Sequence, residues 1–231
     1  MSELLNCVII EPRAPHTGTV LWLHGLGASG HDFEPVAPML ERPDLRFVFP
    51  HAPQRPVTIN GGYVMPAWYD IKSLARTEDR EDEGHIHEAT EQIRALIAAE
   101  VARIGGAERL VLLGFSQGAA MALHVGVRHP ERLAGIGVLS GYLVVEHAVQ
   151  AERTAANGDT PIFFGHGSRD GVVPVGKGRA AQQRMTELGN PCTWQEWPMQ
   201  HEVCAEEIDA IGRWLGEVLP SADRDLDAEV V

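Results

Sequence analysis

Leu110-Val111-Leu112-Leu113-Gly114-Phe115-Ser116-Gln117-Gly118-Ala119-Ala120-Met121-Ala122-Leu123 joins an apolar, strand-like run to an alanine-rich, helix-like one through a Gly-x-Ser-x-Gly turn. A serine on such a strand-to-helix turn has its hydroxyl lifted clear of the sheet. Gly114 and Gly118 flank it, and neither has a Cβ to clash where strand and helix nearly touch. The motif alone occurs by chance; the strand before it and the helix after it give it weight. Ser116 is therefore the candidate nucleophile.

Outward from this turn, apolar runs recur at 7–10, 19–23, 46–49, 135–139, 161–164 and 192–196. Several are almost continuously apolar, the pattern of strands covered on both faces. Helical patterns lie between them. The clearest places Ile86, Ala89, Ile93, Leu96, Ile97, Val101 and Ile104 at three- and four-residue steps and stops at Gly105-Gly106. Others cover 118–128, 178–188 and 206–219. Strands alternating with helices imply βαβ units. The expected fold is α/β: one domain over residues 1–220, with a mostly parallel central sheet and helices on both faces. Residues 50–80, rich in Pro, Gly and aromatics, read as a long substrate-facing excursion, and 221–231 as an acidic, frayed tail.

With 32 acidic and 19 basic residues, the formal net charge is −13. That balance speaks against nucleic acid as a partner, because phosphate binding needs clustered Lys and Arg. No apolar run approaches the ~18–20 residues of a membrane span, so no stable membrane insertion is expected. The N-terminus lacks the basic start and long apolar core of a signal peptide. Cys7, Cys192 and Cys204 form no CxxC pair and no metal-ligand spacing. They read as reduced, mostly buried thiols of a cytoplasmic protein. No metal and no cofactor is expected.

A serine hydroxyl needs a base to take its proton, and the base needs an orienting acid. With an elbow serine the acid and then the base follow in chain order. Asp170 lies just beyond the apolar run ending at Phe164, where catalytic groups gather in open α/β sheets. As a lone residue before Gly171 it would read as a turn-former; the ordered context makes it the candidate acid. Of the 11 histidines, His201 follows the last strand and precedes the last helix, and is the candidate base. His166 is the main rival, but it precedes Asp170, which breaks the order. A developing oxyanion needs two preorganised donors. The backbone N–H of Gln117 is one; the N–H of Leu26, in the glycine-rich stretch Leu23-His24-Gly25-Leu26-Gly27, is chosen as the other. That stretch has no Gly-Lys-Ser/Thr and no GxGxxG to cradle a phosphate.

Taken together, Leu23-His24-Gly25-Leu26-Gly27, Pro50-His51-Ala52-Pro53, Pro66-Ala67-Trp68-Tyr69-Asp70-Ile71, Gly114-Phe115-Ser116-Gln117-Gly118, His166-Gly167-x-x-Asp170-x-Val172-Val173-Pro174 and Trp197-Pro198-Met199-x-His201 resemble the carboxylesterase/lysophospholipase family of α/β-hydrolases that includes the acyl-protein thioesterases. The blocks keep the family's order over nearly the whole chain. The resemblance implies metal-free hydrolysis of carboxylic esters or thioesters, often by dimers, so a homodimer is among the expectations. It supports Ser116, Asp170 and His201 as a triad and Leu26 and Gln117 as oxyanion donors. It also implies that Trp68 and its neighbours wall the acyl site, and Met65 and Val173 are assigned to that wall with it. Two departures stand out: Ala28, where the family often has Asp, and Glu202, where many members have Ser. The expected activity is a serine carboxylesterase acting on small, short-to-medium-chain esters. An acyl-protein thioesterase or lysophospholipase is the alternative within the fold, and a non-catalytic binding protein the alternative outside it.

Overall fold

The computed structural model describes residues 4–73 and 80–221. The expected tail lies outside the described residues beyond Ser221. Seven strands form the main sheet: β1 (Cys7–Ile10), β2 (Gly18–Leu23), β3 (Leu45–Pro50), β6 (Leu110–Phe115), β7 (Gly135–Leu139), β8 (Ile162–Gly167) and β9 (Cys192–Trp197). Their order is β1-β3-β2-β6-β7-β8-β9. Only β1 runs antiparallel to its neighbour. The register aligns Leu23 with Gly114 and Phe115 with Leu139, so the C-terminal ends of β2, β6 and β7 lie level at one edge.

Side-chain alternation along the strands feeds two cores. Leu21, Leu23, Leu112, Val138 and Phe164 pack with α1 (Glu83–Ile104), α2 (Gln117–Gly126) and α4 (Val175–Glu187). Val20, Trp22, Leu113, Leu139 and Phe163 face the other way, onto α5 (Ala205–Val218) and a 3-10 helix at Glu34–Leu40. The interiors of β2, β3, β6, β7 and β8 are thus covered on both sides, as their apolar runs require, while the edge strands β1 and β9 stay partly exposed. The single-domain α/β-hydrolase fold follows the sequence expectation.

The structure adds elements that the sequence reading leaves as loop. Inside the 50–80 segment, β4 (Gln54–Val57) and β5 (Tyr63–Pro66) form a two-stranded antiparallel hairpin. Asp70 ties it down, accepting the Thr58 N–H at 2.7 Å and the Thr58 hydroxyl at 2.6 Å. A short helix, α3, covers Glu146–Glu152. Among the described residues no helix is long and apolar enough to cross a membrane.

Candidate active site

Ser116 stands between β6 and α2 at φ 54°, ψ −118°, a region that residues with a Cβ rarely occupy. The surroundings impose it. The Ser116 N–H donates to Leu139 O at 2.8 Å, and its carbonyl accepts from Ala120 N at 3.1 Å. The flanking glycines are a steric necessity: a Cβ on Gly114 would lie 2.3 Å from the Gly118 carbonyl, and one on Gly118 2.3 Å from Leu23 O.

The other two candidates come from neighbouring strand ends. β8 runs on to Gly167, beyond its expected end at 164, and the turn after it delivers Asp170. Asp170 Oδ1 accepts the N–H groups of Val172 and Val173, both at 2.8 Å, which fixes the plane of the carboxylate. Its Oδ2 receives His201 Nδ1 at 2.7 Å. His201 sits between β9 and α5, on a segment fastened to the β8 turn by Ser168 N to Trp197 O (2.8 Å) and Arg169 N to Met199 O (3.0 Å). His201 Nε2 lies 2.8 Å from Ser116 Oγ. Asp170 has no proton to offer, so Nδ1 carries the imidazole hydrogen and Nε2 is free to accept from the serine. The His201 ring also packs on Phe115, centroids 4.8 Å apart. Hydroxyl, imidazole and carboxylate thus form one hydrogen-bonded line, the arrangement that activates a serine oxygen.

A cavity of about 440 Å³ opens onto Ser116 and His201. Its walls are largely apolar, with Phe33, Val36, Ile59, Ile71, Val173 and Val203 prominent. Leu26 and Gln117 line it too. Gln117 is the first residue of α2, where the N–H has no intrahelical acceptor. A larger hollow of about 870 Å³ lies beyond Arg80 and Tyr142 and touches none of Ser116, His201 or Asp170.

Trp68 and Met65 differ from expectation. Neither lines the cavity. Trp68 is fully buried and acts as a brace: its indole N–H donates to His24 O and its backbone N–H to Gln117 Oε1, each at 2.8 Å. The Met65 sulfur instead accepts from Asn60 Nδ2 at 3.3 Å. Val173 does line the cavity.

Several residues play parts that the sequence reading did not assign them. His24 donates from Nδ1 to Gly25 O (2.7 Å) and accepts the Ala52 N–H on Nε2 (3.0 Å), holding the glycine-rich loop. His166, the rejected rival base, stands 3.5 Å from Asp170 Oδ2. Burial lowers the pKa of both histidines, so they act as neutral donors and acceptors. The signal for His24 was its place directly after a buried strand; for Phe33 and Val36 no periodic pattern marked them.

Residues 5–219 match the sequence pattern described as phospholipase/carboxylesterase. The chain belongs to the phospholipase/carboxylesterase family. It is 35% identical to an acyl-protein thioesterase 1 of Cryptococcus neoformans over 95% of this chain and 100% of the relative. Among solved structures, Arabidopsis thaliana SOBER1 is similar with a TM-score of 0.82 and 32% identity, covering 87% of this chain and 99% of that one. A Zea mays acyl-protein thioesterase 2 has a TM-score of 0.83 and 26% identity, covering 93% and 99%. This member of the phospholipase/carboxylesterase family is a serine hydrolase.

Proposed function

We propose that the chain hydrolyses carboxylic esters with small, short-to-medium acyl groups, through an acyl-enzyme on Ser116. The observation that carries this reading is the continuous hydrogen-bond line from Ser116 Oγ through His201 to Asp170. As Ser116 Oγ attacks the ester carbonyl carbon, His201 Nε2 takes its proton. The carbonyl oxygen becomes an oxyanion, met by the Leu26 and Gln117 N–H groups. His201 then gives the proton to the leaving oxygen, the acyl–oxygen bond breaks, and the alcohol departs. Water repeats the sequence against the acyl-serine and releases the acid. Asp170 holds the imidazole in the productive tautomer and stabilises its cation. The apolar walls around Phe33, Val36 and Ile71 favour an aliphatic acyl group.

A second reading is hydrolysis of S-acyl thioesters on proteins. It draws support from the relatives named acyl-protein thioesterase. The same residues would serve, with a thiol leaving in place of an alcohol. Neither reading calls on a metal or a cofactor, and a homodimer is compatible with both.

Two experiments test these readings. A fluorophosphonate should label Ser116 in the wild type and leave Ser116→Ala unlabelled; labelling elsewhere removes the mechanism. A panel pairing each acyl length with matched oxygen and sulfur leaving groups, and with S-acyl peptides, separates the two. A preference for short-chain oxygen esters supports the first reading, and selective turnover of long-chain S-acyl peptides the second.

A further inference from the structure

The first turn of α5 holds a carboxyl group to which the described residues offer no hydrogen bond. Glu207 is fully buried, and neither of its oxygens has a hydrogen-bond partner among the described residues. A Cβ on Gly165 of β8 would lie 2.2 Å from Glu207 Oε1, so the absence of a side chain there makes room for the carboxyl. The Gly165 carbonyl in turn accepts the Ser140 N–H at 2.8 Å. Ser140, just past β7, is also fully buried, stands at φ 48°, and has an unpartnered hydroxyl. Two residues whose buried polar side chains lack partners among the described residues therefore meet the same glycine, Glu207 through its carboxyl and Ser140 through its backbone N–H. Such groups are normally satisfied, and where the protein supplies nothing an internal water does.

The location links this pair to the chemistry. Gly165 leads into the turn that carries Asp170, and Glu207 opens the helix that follows the His201 segment. The two pieces already touch closely: a Cβ on Gly167 would lie 2.1 Å from Gln200 O.

We propose that Glu207 is a positioning residue: together with an internal water held at the Ser140–Gly165 strand ends, its carboxyl fastens the start of α5 to β8 and so sets where His201 stands relative to Asp170. Water fits because it is small and both gives and takes hydrogen bonds. A carboxyl that keeps its proton does the same, whereas a carboxylate only accepts. Burial pushes the Glu207 carboxyl up to about 8 from its ordinary 4.5, so it keeps that proton at neutral pH. No charged partner faces it from the strands, where Gly165 and Leu139 are its neighbours. At the helix cap stands the Cys204 thiol, raised chiefly by burial, and the other titratable groups of α5, Glu206, Asp209, Arg213 and Glu217, are exposed.

The inference rests on the acyl-transfer reading only for its kinetic arm. Glu207→Gln keeps shape and hydrogen bonding without an ionisable proton; Glu207→Leu keeps bulk and removes the bonding. Thermal melts need no substrate. Between 4.5 and about 8 the carboxyl of the unfolded chain has lost its proton while that of the folded chain has not, so the wild type loses stability relative to Glu207→Gln as pH rises, and the gap levels off above that window. A gap that stays constant from about pH 5 to about pH 9 would show an ordinary ionised glutamate and overturn the proposal. In kinetics, Glu207→Leu should lower kcat about 10-fold with little change in KM, while Glu207→Gln stays within about 3-fold of wild type. Wild-type kcat in the Leu variant would also overturn it, and if that variant does not fold the Gln melts decide. Because the melts read Glu207 without turnover and fluorophosphonate labelling reads Ser116 without Glu207, failure of one reading is distinguishable from failure of the other.

Discussion

His166 Nε2 donates to Val173 O at 2.8 Å and stands 3.5 Å from Asp170 Oδ2, the oxygen that also receives His201. The ring therefore pins the turn that presents the carboxylate from its inner side. His166→Leu keeps most of the bulk and leaves the Val173 carbonyl buried without a partner. It should cost about 1–3 kcal/mol of stability and lower kcat about 10–100-fold through misplacement of Asp170. Denaturant titration and steady-state kinetics on the same preparation check both effects.

Ser116 occupies backbone space that suits glycine. Ser116→Gly relieves that strain, and the relief outweighs the extra chain entropy of glycine. The variant should gain about 1 kcal/mol of stability while turnover falls by about 10⁶. Paired unfolding curves and an ester assay test this; a less stable glycine variant would mean that the elbow stores no strain.

The Gln117 side chain bridges Trp68 N–H and Tyr69 O, each at 2.8 Å. Gln117→Ala leaves both groups buried and unpaired, so about 2–4 kcal/mol should be lost. The oxyanion donor proposed at this position is the backbone N–H, which the substitution keeps. The drop in kcat should therefore be far smaller than for Ser116→Gly, as single-turnover measurements would show.

His124 lies buried inside α2, and burial, aided by the nearby Arg128 charge, lowers its pKa from 6.5 to about 3. On acidification below 6.5 the unfolded chain takes up a proton that the folded chain refuses, so stability is complete above that value and drains away toward pH 3. The difference across the window is about 5 kcal/mol. His124→Gln should flatten this part of the stability–pH curve, read from urea midpoints at stepped pH.

The middle of the sheet was legible because its strands are buried on both faces and read as apolar runs; 110–115 and 135–139 match the observed bounds. Strand β8 was read short because His166 and Gly167 carry no strand propensity, yet pairing with β9 holds them extended. The 3-10 helix at Glu34–Leu40 was missed because Pro35 and Pro38 interrupt any helical period. The β4–β5 hairpin was overlooked although Asn60-Gly61-Gly62 is a turn signal; Pro56 hid the first strand. For the site, chain order and strand-end position picked out Ser116, Asp170 and His201, which the structure brings into contact. The cavity wall was harder to read. Trp68 attracts attention by size, but burial and hydrogen bonding are invisible in one dimension, and Phe33 and Val203 come from unrelated segments that only the fold brings together.

Ser116, Asp170 and His201 rest on strand ends, whereas much of the cavity wall does not. Ile59 and Ile71 belong to the hairpin segment, and Phe33 and Val36 to the region of the 3-10 helix. Descendants of this chain can therefore reshape acyl preference by rewriting two peripheral inserts, with the reacting atoms left untouched. Diversification of appetite is decoupled from preservation of chemistry.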